Sequence, residues 1–92
     1  MPAKHLRITG LVQGVFFRAE TLKKATELGL TGWVRNTDDG AVEVHAQGAE
    51  EKLKELEQWC TKGPPRAQVQ NVSVDEVPEE DLQKFSLAKA KT

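Results

Sequence analysis

Two kinds of hydrophobic spacing alternate along this chain. In segment 5–12 apolar residues occupy every second position, which is typical of a half-buried β-strand. From about residue 17 to residue 28 they recur at helical spacing, and Gly29 follows as a natural end for that helix. We therefore predict a first strand over 5–12 and a first helix over about 17–28. The apolar positions of that helix are Leu22, Ala25 and Leu28.

The middle of the chain has the pattern of a β-hairpin. Segments 31–37 and 41–47 are both strand-like, and apolar and polar residues alternate strictly in the second of them. Asp38-Asp39-Gly40 lies between the two segments and has the composition of a tight turn. Two adjacent antiparallel strands are therefore expected over 31–47.

A second helix is predicted between Gly48 and Gly63. Its apolar stripe consists of Ala49, Leu53, Leu56 and Cys60. Acidic residues occupy its first turn, which suits the helix dipole, and Gly63-Pro64-Pro65 ends it. Because Cys60 lies on the apolar stripe, we predict a buried and unreactive thiol there.

The last elements complete a βαββαβ order with an added edge strand. Segment 69–77 alternates as a fourth strand with Val72 and Val74 pointing inward, and Phe85 and Leu87 suggest a short fifth strand. Two helices with one apolar stripe each must cover one face of the sheet, which predicts an α+β, ferredoxin-like fold with an antiparallel sheet of four to five strands. The other face is expected to meet water, and it carries His5, Arg7, Glu43, His45, Asn71 and Ser73.

Composition narrows the class of protein. The 92 residues suffice for one hydrophobic core, so a single domain over 1–92 is expected. A formal charge of −1 gives no overall field that would attract nucleic acid or a membrane. One cysteine excludes an internal disulfide and a cysteine-based metal cluster, and neither a signal core nor a membrane-length apolar run is visible. We expect a cytoplasmic monomer.

Arg18 is the first candidate functional residue. It falls at the start of the first helix, directly after a strand-to-helix loop that contains Gly14. A helix N-terminus, a glycine-containing loop and a guanidinium fork together can form an anion site of phosphate size. The alternative is an exposed arginine without a partner, with Phe16 or Phe17 serving only as core residues.

Asn36 is the second candidate. It shares strand parity with Val34 and should therefore point towards the helices, where a buried amide needs hydrogen-bond partners. Antiparallel pairing could bring it close to the loop before Arg18. The alternative is an asparagine that only begins the turn before Asp38.

Two long motifs resemble the acylphosphatase family. GLVQGVFFR (10–18) matches Gly-x-Val-Gln-Gly-Val-x-Phe-Arg, and GWVRNTDDGAVEVHAQG (32–48) matches a second signature of that family. Gly63-Pro64-Pro65 resembles the family's exit from the second helix, whereas the ending LAKAKT departs from the aromatic or arginine-bearing last strand of many members. The resemblance implies a βαββαβ fold and hydrolysis of the carboxyl–phosphate bond of small acyl phosphates.

The resemblance also implies a site. Arg18 would be the phosphate-binding catalytic arginine and Asn36 the residue that positions water. The substrate-binding residues would be Gln13, Gly14, Val15, Phe16, Phe17 and Arg18. No metal is expected, since no cluster of carboxylates is spaced to hold magnesium. Neither a Ser-His-Asp nor a Cys-His arrangement accompanies the motif, no cofactor is expected, and a carboxylate leaving group needs no proton.

Two other functions are alternatives to hydrolysis. A non-catalytic anion-binding module would use the same fold, and related domains occur inside larger maturation enzymes; the short chain favours a free-standing hydrolase. A binder of single-stranded nucleic acid would need aromatic residues and positive charge on the open face of the sheet. That face instead combines His5, Arg7 and His45 with acidic neighbours.

Overall fold

The computed structural model describes residues 1–89, and its element order is the predicted one. The elements are β1 (Ala3–Leu11), α1 (Phe17–Glu27), β2 (Thr31–Asn36), β3 (Val42–Gln47), α2 (Glu50–Lys62), β4 (Gln68–Glu76) and β5 (Phe85–Leu87). The α+β, ferredoxin-like βαββαβ fold predicted from the spacing is confirmed. No helix within residues 1–89 combines the length and the apolar character needed to cross a bilayer.

The predicted antiparallel sheet is found in four strands, and the fifth strand makes the sheet mixed at one edge. Its strand order is β4-β1-β3-β2-β5, and the first four strands pair antiparallel. β5 runs parallel to β2, with Gly32 opposite Phe85 and Val34 opposite Leu87. The cause is topological. After β4 the chain must cross to the opposite edge of the sheet, and it arrives there running in the direction of β2.

The core lies between the sheet and the two helices. The inward strand positions follow the predicted alternation, and Leu53, Leu56 and Cys60 of α2 are buried as predicted. On the strands the buried residues include Leu6, Ile8, Val34, Val42 and Val44. These side chains form one hydrophobic cluster, which fixes the ends of β1 and β2 relative to α1.

The buried face of helix α1 overlaps the predicted one at Ala25 but also includes Phe17 and Thr21. Its buried residues are Phe17, Thr21 and Ala25, while Leu22 and Leu28 are only partly buried. Phe17 sets this orientation, because its ring packs edge-to-face on Trp59 of α2 with 5.5 Å between ring centroids. The prediction had placed Leu22 and Leu28 on the buried stripe.

Strand β4 is also more exposed than predicted. Val72 is half-buried and Val74 is exposed, although both were expected to point inward. β4 forms the edge of the sheet and pairs only with β1, so little of the helical layer covers it.

The face of the sheet opposite the helices is covered over β3, so the prediction that it meets water was wrong for Glu43 and His45, whereas Asn71 and Ser73 of β4 are exposed as predicted. Glu43, His45 and Gln47 of β3 are all buried. Residues 77–84, which we call the crossing segment, pass over them between β4 and β5. Gln47 Nε2 donates to Glu80 O at 2.7 Å, and Glu80 N donates to Gln47 Oε1 at 3.0 Å.

The side chains under the crossing segment form a polar layer. His45 stacks on Trp33 with 5.7 Å between ring centroids. The guanidinium carbon of Arg35 lies over a ring of the same Trp33, 4.5 Å from its centroid. Glu43 accepts hydrogen bonds from Arg35 at 3.1 Å and pairs with His5 at 3.0 Å. The alternation of polar residues along β3 was therefore correctly recognised, but these residues are buried and form hydrogen bonds with other groups of the protein.

Candidate functional site

Residues 12–16 form the loop that connects β1 to α1, and two valines anchor this loop in the hydrophobic core. Val12 and Val15 are buried in the core, while Gly14 and Phe16 are exposed. Both exposed residues have left-handed backbone, with φ of +73° at Gly14 and +66° at Phe16. Phe16 also occupies the N-cap of α1, where its side chain caps no backbone group.

Gln13 fastens this loop to the β2–β3 turn. Its Nε2 group donates to Thr37 O at 2.7 Å and to Ala41 O at 2.8 Å, which uses both amide hydrogens. The turn is closed by Thr37 N donating to Ala41 O at 2.9 Å. Because β2 ends just before this turn, the tether sets the distance between the loop and Asn36.

The loop and the first turn of α1 present unpaired backbone donors. Within residues 1–89, no N–H group from 13 to 19 donates to a protein acceptor, and the first helical bond runs from Glu20 N to Phe16 O at 3.0 Å. Unpaired donors at a helix N-terminus are the usual protein ligands of an anion. The run of unpaired N–H groups is therefore longer than a helix start alone would give.

Arg18 lies in the first turn of α1 and is exposed. It forms no ion pair or hydrogen bond with any side chain in the part of the chain described, residues 1–89. The positive end of the helix dipole disfavours a cation at this position. An arginine held there without a carboxylate is available to bind an anion.

Asn36 is the last residue of β2, and its Oδ1 atom is buried without a hydrogen-bond partner. It lies in the same pocket as Arg18, with a volume of about 280 Å³. The two candidates that were predicted from separate parts of the sequence therefore come together. The pocket is lined by Val12, Gly14, Phe16, Phe17, Arg18, Ala19, Asn36 and Leu87.

Two features of this region were not predicted. The side chain of Gln13 turns away to the β2–β3 turn, so that its backbone N–H, and not its amide N–H groups, remains free for an anion. Leu87 reaches the pocket from β5. No local pattern could have indicated this, because it depends on β5 crossing to the edge beside β2. Among residues 1–89, no three His, Cys, Asp or Glu side chains are grouped so as to hold a metal.

The fold and the pocket define a class first: a ferredoxin-like α+β domain with an arginine, an asparagine and free backbone donors in one small pocket. The model of the Acylphosphatase family matches residues 4–87. The chain therefore belongs to the acylphosphatase family, a family of hydrolases. The family and the enzyme class predicted from the two motifs are confirmed.

Individual relatives agree with this assignment. An acylphosphatase of Marinobacter nauticus is 55% identical over 74 residues, which cover 80% of each chain. The structure of an acylphosphatase from Coxiella burnetii superposes with a TM-score of 0.91 at 44% identity, covering 95% of this chain and 92% of the other. The crystal structure of the acylphosphatase from Bacillus subtilis superposes with a TM-score of 0.92 at 36% identity, covering 96% of this chain and 99% of the other.

Proposed function

We propose that this chain hydrolyses the carboxyl–phosphate bond of small acyl phosphates in the pocket shared by Arg18 and Asn36. One observation carries the proposal. An arginine without an ion pair, free N–H groups at Gly14 and at residues 16–19, and a buried amide oxygen without a partner all belong to one pocket of about 280 Å³. Each group lacks a protein partner, and an acyl phosphate with an attacking water would supply all three.

In this proposal the phosphoryl group lies in the loop. The backbone N–H groups of residues 13–18 surround its oxygens, and the Arg18 guanidinium binds two of them as a fork. Substrate binding thus uses the whole set Gln13, Gly14, Val15, Phe16, Phe17 and Arg18. These fixed donors stabilise the charge on the phosphoryl oxygens in the transition state, which is commonly the largest contribution to such catalysis.

Asn36 positions the attacking water. Its Oδ1 accepts a hydrogen bond from that water, whose oxygen attacks phosphorus while the bond from phosphorus to the acyl oxygen breaks. A phosphoryl oxygen of the substrate takes the proton, and the products are a carboxylate and inorganic phosphate. The carboxylate leaves without protonation because the pKa of its conjugate acid is roughly 4. The reaction therefore requires no metal, cofactor or general acid.

We further propose that residues 1–92 form one domain that acts as a cytoplasmic monomer. The apolar side chains form one cluster, and the central strand β3 is covered on both faces by the chain itself. A lone buried thiol suits a reducing compartment. Nucleic acid is not a proposed partner, since Trp33 already stacks on His45 and makes a cation–π contact with Arg35.

Hydrolysis of benzoyl phosphate in the presence of EDTA tests the function. Arg18→Ala should weaken inhibition by inorganic phosphate and lower kcat/KM by at least about 100-fold, the scale for losing one charge-stabilising donor group. Arg18→Lys should retain only part of the wild-type kcat/KM, because an ammonium group cannot form the two parallel hydrogen bonds of a guanidinium. Lys23→Ala removes one exposed cation from the same helix and should leave kcat/KM and phosphate inhibition nearly unchanged.

Asn36→Ala separates catalysis from binding. It should lower kcat by about 100-fold or more while phosphate inhibition changes by less than about threefold, because water and not phosphate loses its partner. Asn71→Ala, on the exposed strand β4, is the matched control. A wild-type protein that bound phosphate but hydrolysed nothing would instead be a non-catalytic anion-binding module, and a requirement for magnesium would rule out the mechanism.

A further inference from the structure

The mouth of the pocket is apolar on its exposed side. Phe16 is 69% exposed and Leu87 is 52% exposed, and both line the pocket that holds Arg18 and Asn36. Large apolar side chains with this exposure gain little from the fold itself, and an exposed apolar pair at a concave site commonly marks a contact surface for a ligand.

Phe16 is held there against a conformational cost. At φ +66° it is the one non-glycine residue within 1–89 with positive φ. Left-handed backbone costs a residue with a Cβ atom free energy that glycine would not lose. A bulky aromatic that is both strained and exposed stabilises neither the loop nor the core. Strain of this kind is characteristic of positions that a function requires.

Leu87 reaches the same mouth from the far end of the chain. β5 is aligned on β2 by the pairing of Val34 with Leu87, and Ala88 N donates to Val34 O at 2.8 Å. The parallel strand that the sequence did not predict thus delivers the second apolar group. Two segments separated by about the whole length of the domain converge on one pocket entrance.

We infer that Phe16 and Leu87 bind the acyl half of the substrate and set a preference for small, uncharged, apolar acyl groups such as an aromatic ring. This inference rests on the proposed hydrolysis. The phosphoryl group occupies Arg18 and the loop donors, so the acyl group must project towards the mouth. Among the described residues that line the pocket, Arg18 is the only cation, and the phosphoryl group uses it, so these residues offer no partner for a carboxylate on the acyl chain.

The size of the pocket limits the acyl group. Its volume of about 280 Å³ lies just below the range of roughly 300–1,000 Å³ typical of sites for drug-sized ligands. One aromatic ring or a short branched chain beside the phosphoryl group is therefore accommodated, whereas a long chain would extend into solvent.

The test compares benzoyl phosphate with acetyl phosphate, which share the phosphoryl group and differ in the acyl group. In both Phe16→Ala and Leu87→Ala, the ratio of the two kcat/KM values should fall about fivefold, equivalent to about 1 kcal/mol of lost apolar contact. Any disturbance of the phosphate loop affects both substrates and cancels in the ratio. Alanine at position 16 keeps a Cβ atom, so the backbone remains under the same constraint.

Leu11 provides the matched control. It is also 52% exposed and lies at the end of β1, but it does not line the pocket. Leu11→Ala should leave the ratio within about twofold of wild type. A ratio unchanged in both test variants, or an equal fall in Leu11→Ala, would overturn the inference while wild-type hydrolysis upheld the proposed function. A wild-type protein inactive on both substrates would overturn the two together.

Discussion

Gly14 shows how one residue can serve a site through its backbone alone. At φ +73° it lies in the left-handed region, and a Cβ atom added there would meet no other atom within 4 Å. Any side chain would therefore cost conformational free energy without a clash. Gly29, after α1, has nearly the same geometry, with φ +72° and open space around it. The two glycines differ in position, since only Gly14 lies in the loop proposed to bind phosphate.

Alanine at these two positions should separate stability from binding. Gly14→Ala and Gly29→Ala are each expected to lower the free energy of unfolding by about 1–2 kcal/mol, the cost of left-handed backbone for an L-residue. Only Gly14→Ala should also weaken inhibition by inorganic phosphate, because it alone tilts the loop N–H groups. Urea unfolding and phosphate competition measure the two effects. Equal phosphate affinity in both variants would contradict a binding role for the loop backbone.

Single residues were predictable where a local rule applied to them. Arg18 after a glycine loop and Asn36 at the parity of Val34 could be selected from the sequence, and both lie in one pocket. The tether made by Gln13 could not be predicted, because its acceptors are backbone carbonyls of Thr37 and Ala41, which no side-chain pattern reveals.

At the scale of the element, α2 follows its sequence closely. Its stripe of Leu53, Leu56 and Cys60 is buried, and Lys4 of β1 pairs with Glu50 at 2.8 Å and Glu57 at 3.0 Å on its flank. Burial, with a smaller effect from the nearby charge of Glu57, raises the pKa of the Cys60 thiol to about 12. The predicted unreactive thiol agrees with this environment.

Labelling of Cys60 tests that environment directly. Near pH 8 the thiolate fraction in the folded protein should be lower than in the unfolded chain by on the order of a thousandfold, since an ordinary thiol has a pKa of about 8.5. A disulfide reagent should thus react rapidly in urea and very slowly under native conditions. The chain has one cysteine, so the signal belongs to this position alone. Native labelling as fast as that in urea would show that α2 opens readily.

Strand β3 shows where element-scale rules fail. The alternation in AVEVHAQ is typical of one buried and one wet face, yet the polar side chains of β3 are buried too, with His45 only 3% exposed. A central strand acquires this environment only when a distant segment covers it. Here the crossing segment does so, and its own sequence contains no strand or helix pattern that would have placed it there.

At the scale of the whole molecule, charge pairing links stability to pH. Burial raises the pKa of Glu43, but hydrogen bonds and charge from Arg35 and His5 outweigh this and leave the pKa below its ordinary value. When the pKa of a carboxyl is lower in the folded protein than in the unfolded chain, its ionised form stabilises the folded protein. This stabilisation is fully present at pH values above the unfolded-state pKa, and it disappears as the pH falls through the folded-state pKa. A hydrogen bond from Thr37, with the charge of Arg7, lowers the pKa of Asp39 in the same direction.

Acid unfolding of Glu43→Gln should show this dependence. At pH 7 the variant should be less stable than wild type by about 1.5–3 kcal/mol, the value of hydrogen bonds to a charged group. The difference should shrink from about pH 5 downwards as the wild-type carboxylate takes up its proton. Glu76→Gln, on the exposed edge strand, should differ from wild type by less than about 0.5 kcal/mol throughout. A difference independent of pH would contradict the role of the charge.

The global architecture was predictable as far as local periodicity reaches. Element types and their βαββαβ order follow from spacing, because each helix and strand shows its own period. The parallel pairing of β5 with β2 does not, since it depends on the direction in which the chain returns after crossing the sheet. The pocket combines both kinds of information: Arg18 and Asn36 come from local patterns, and Leu87 comes from the crossing.

The same crossing gives each face of the sheet its own optical probe. Trp33 lies beneath the crossing segment, where Nε1 donates to Glu80 Oε1 at 3.1 Å, and Trp59 packs against Phe17 in the helical layer. The chain contains two tryptophans and no tyrosine. Replacing either ring with phenylalanine leaves an intrinsic fluorophore that monitors one layer alone. Melting curves from the two single-tryptophan proteins would then reveal whether the crossing segment detaches from the sheet before the helices unfold or together with them.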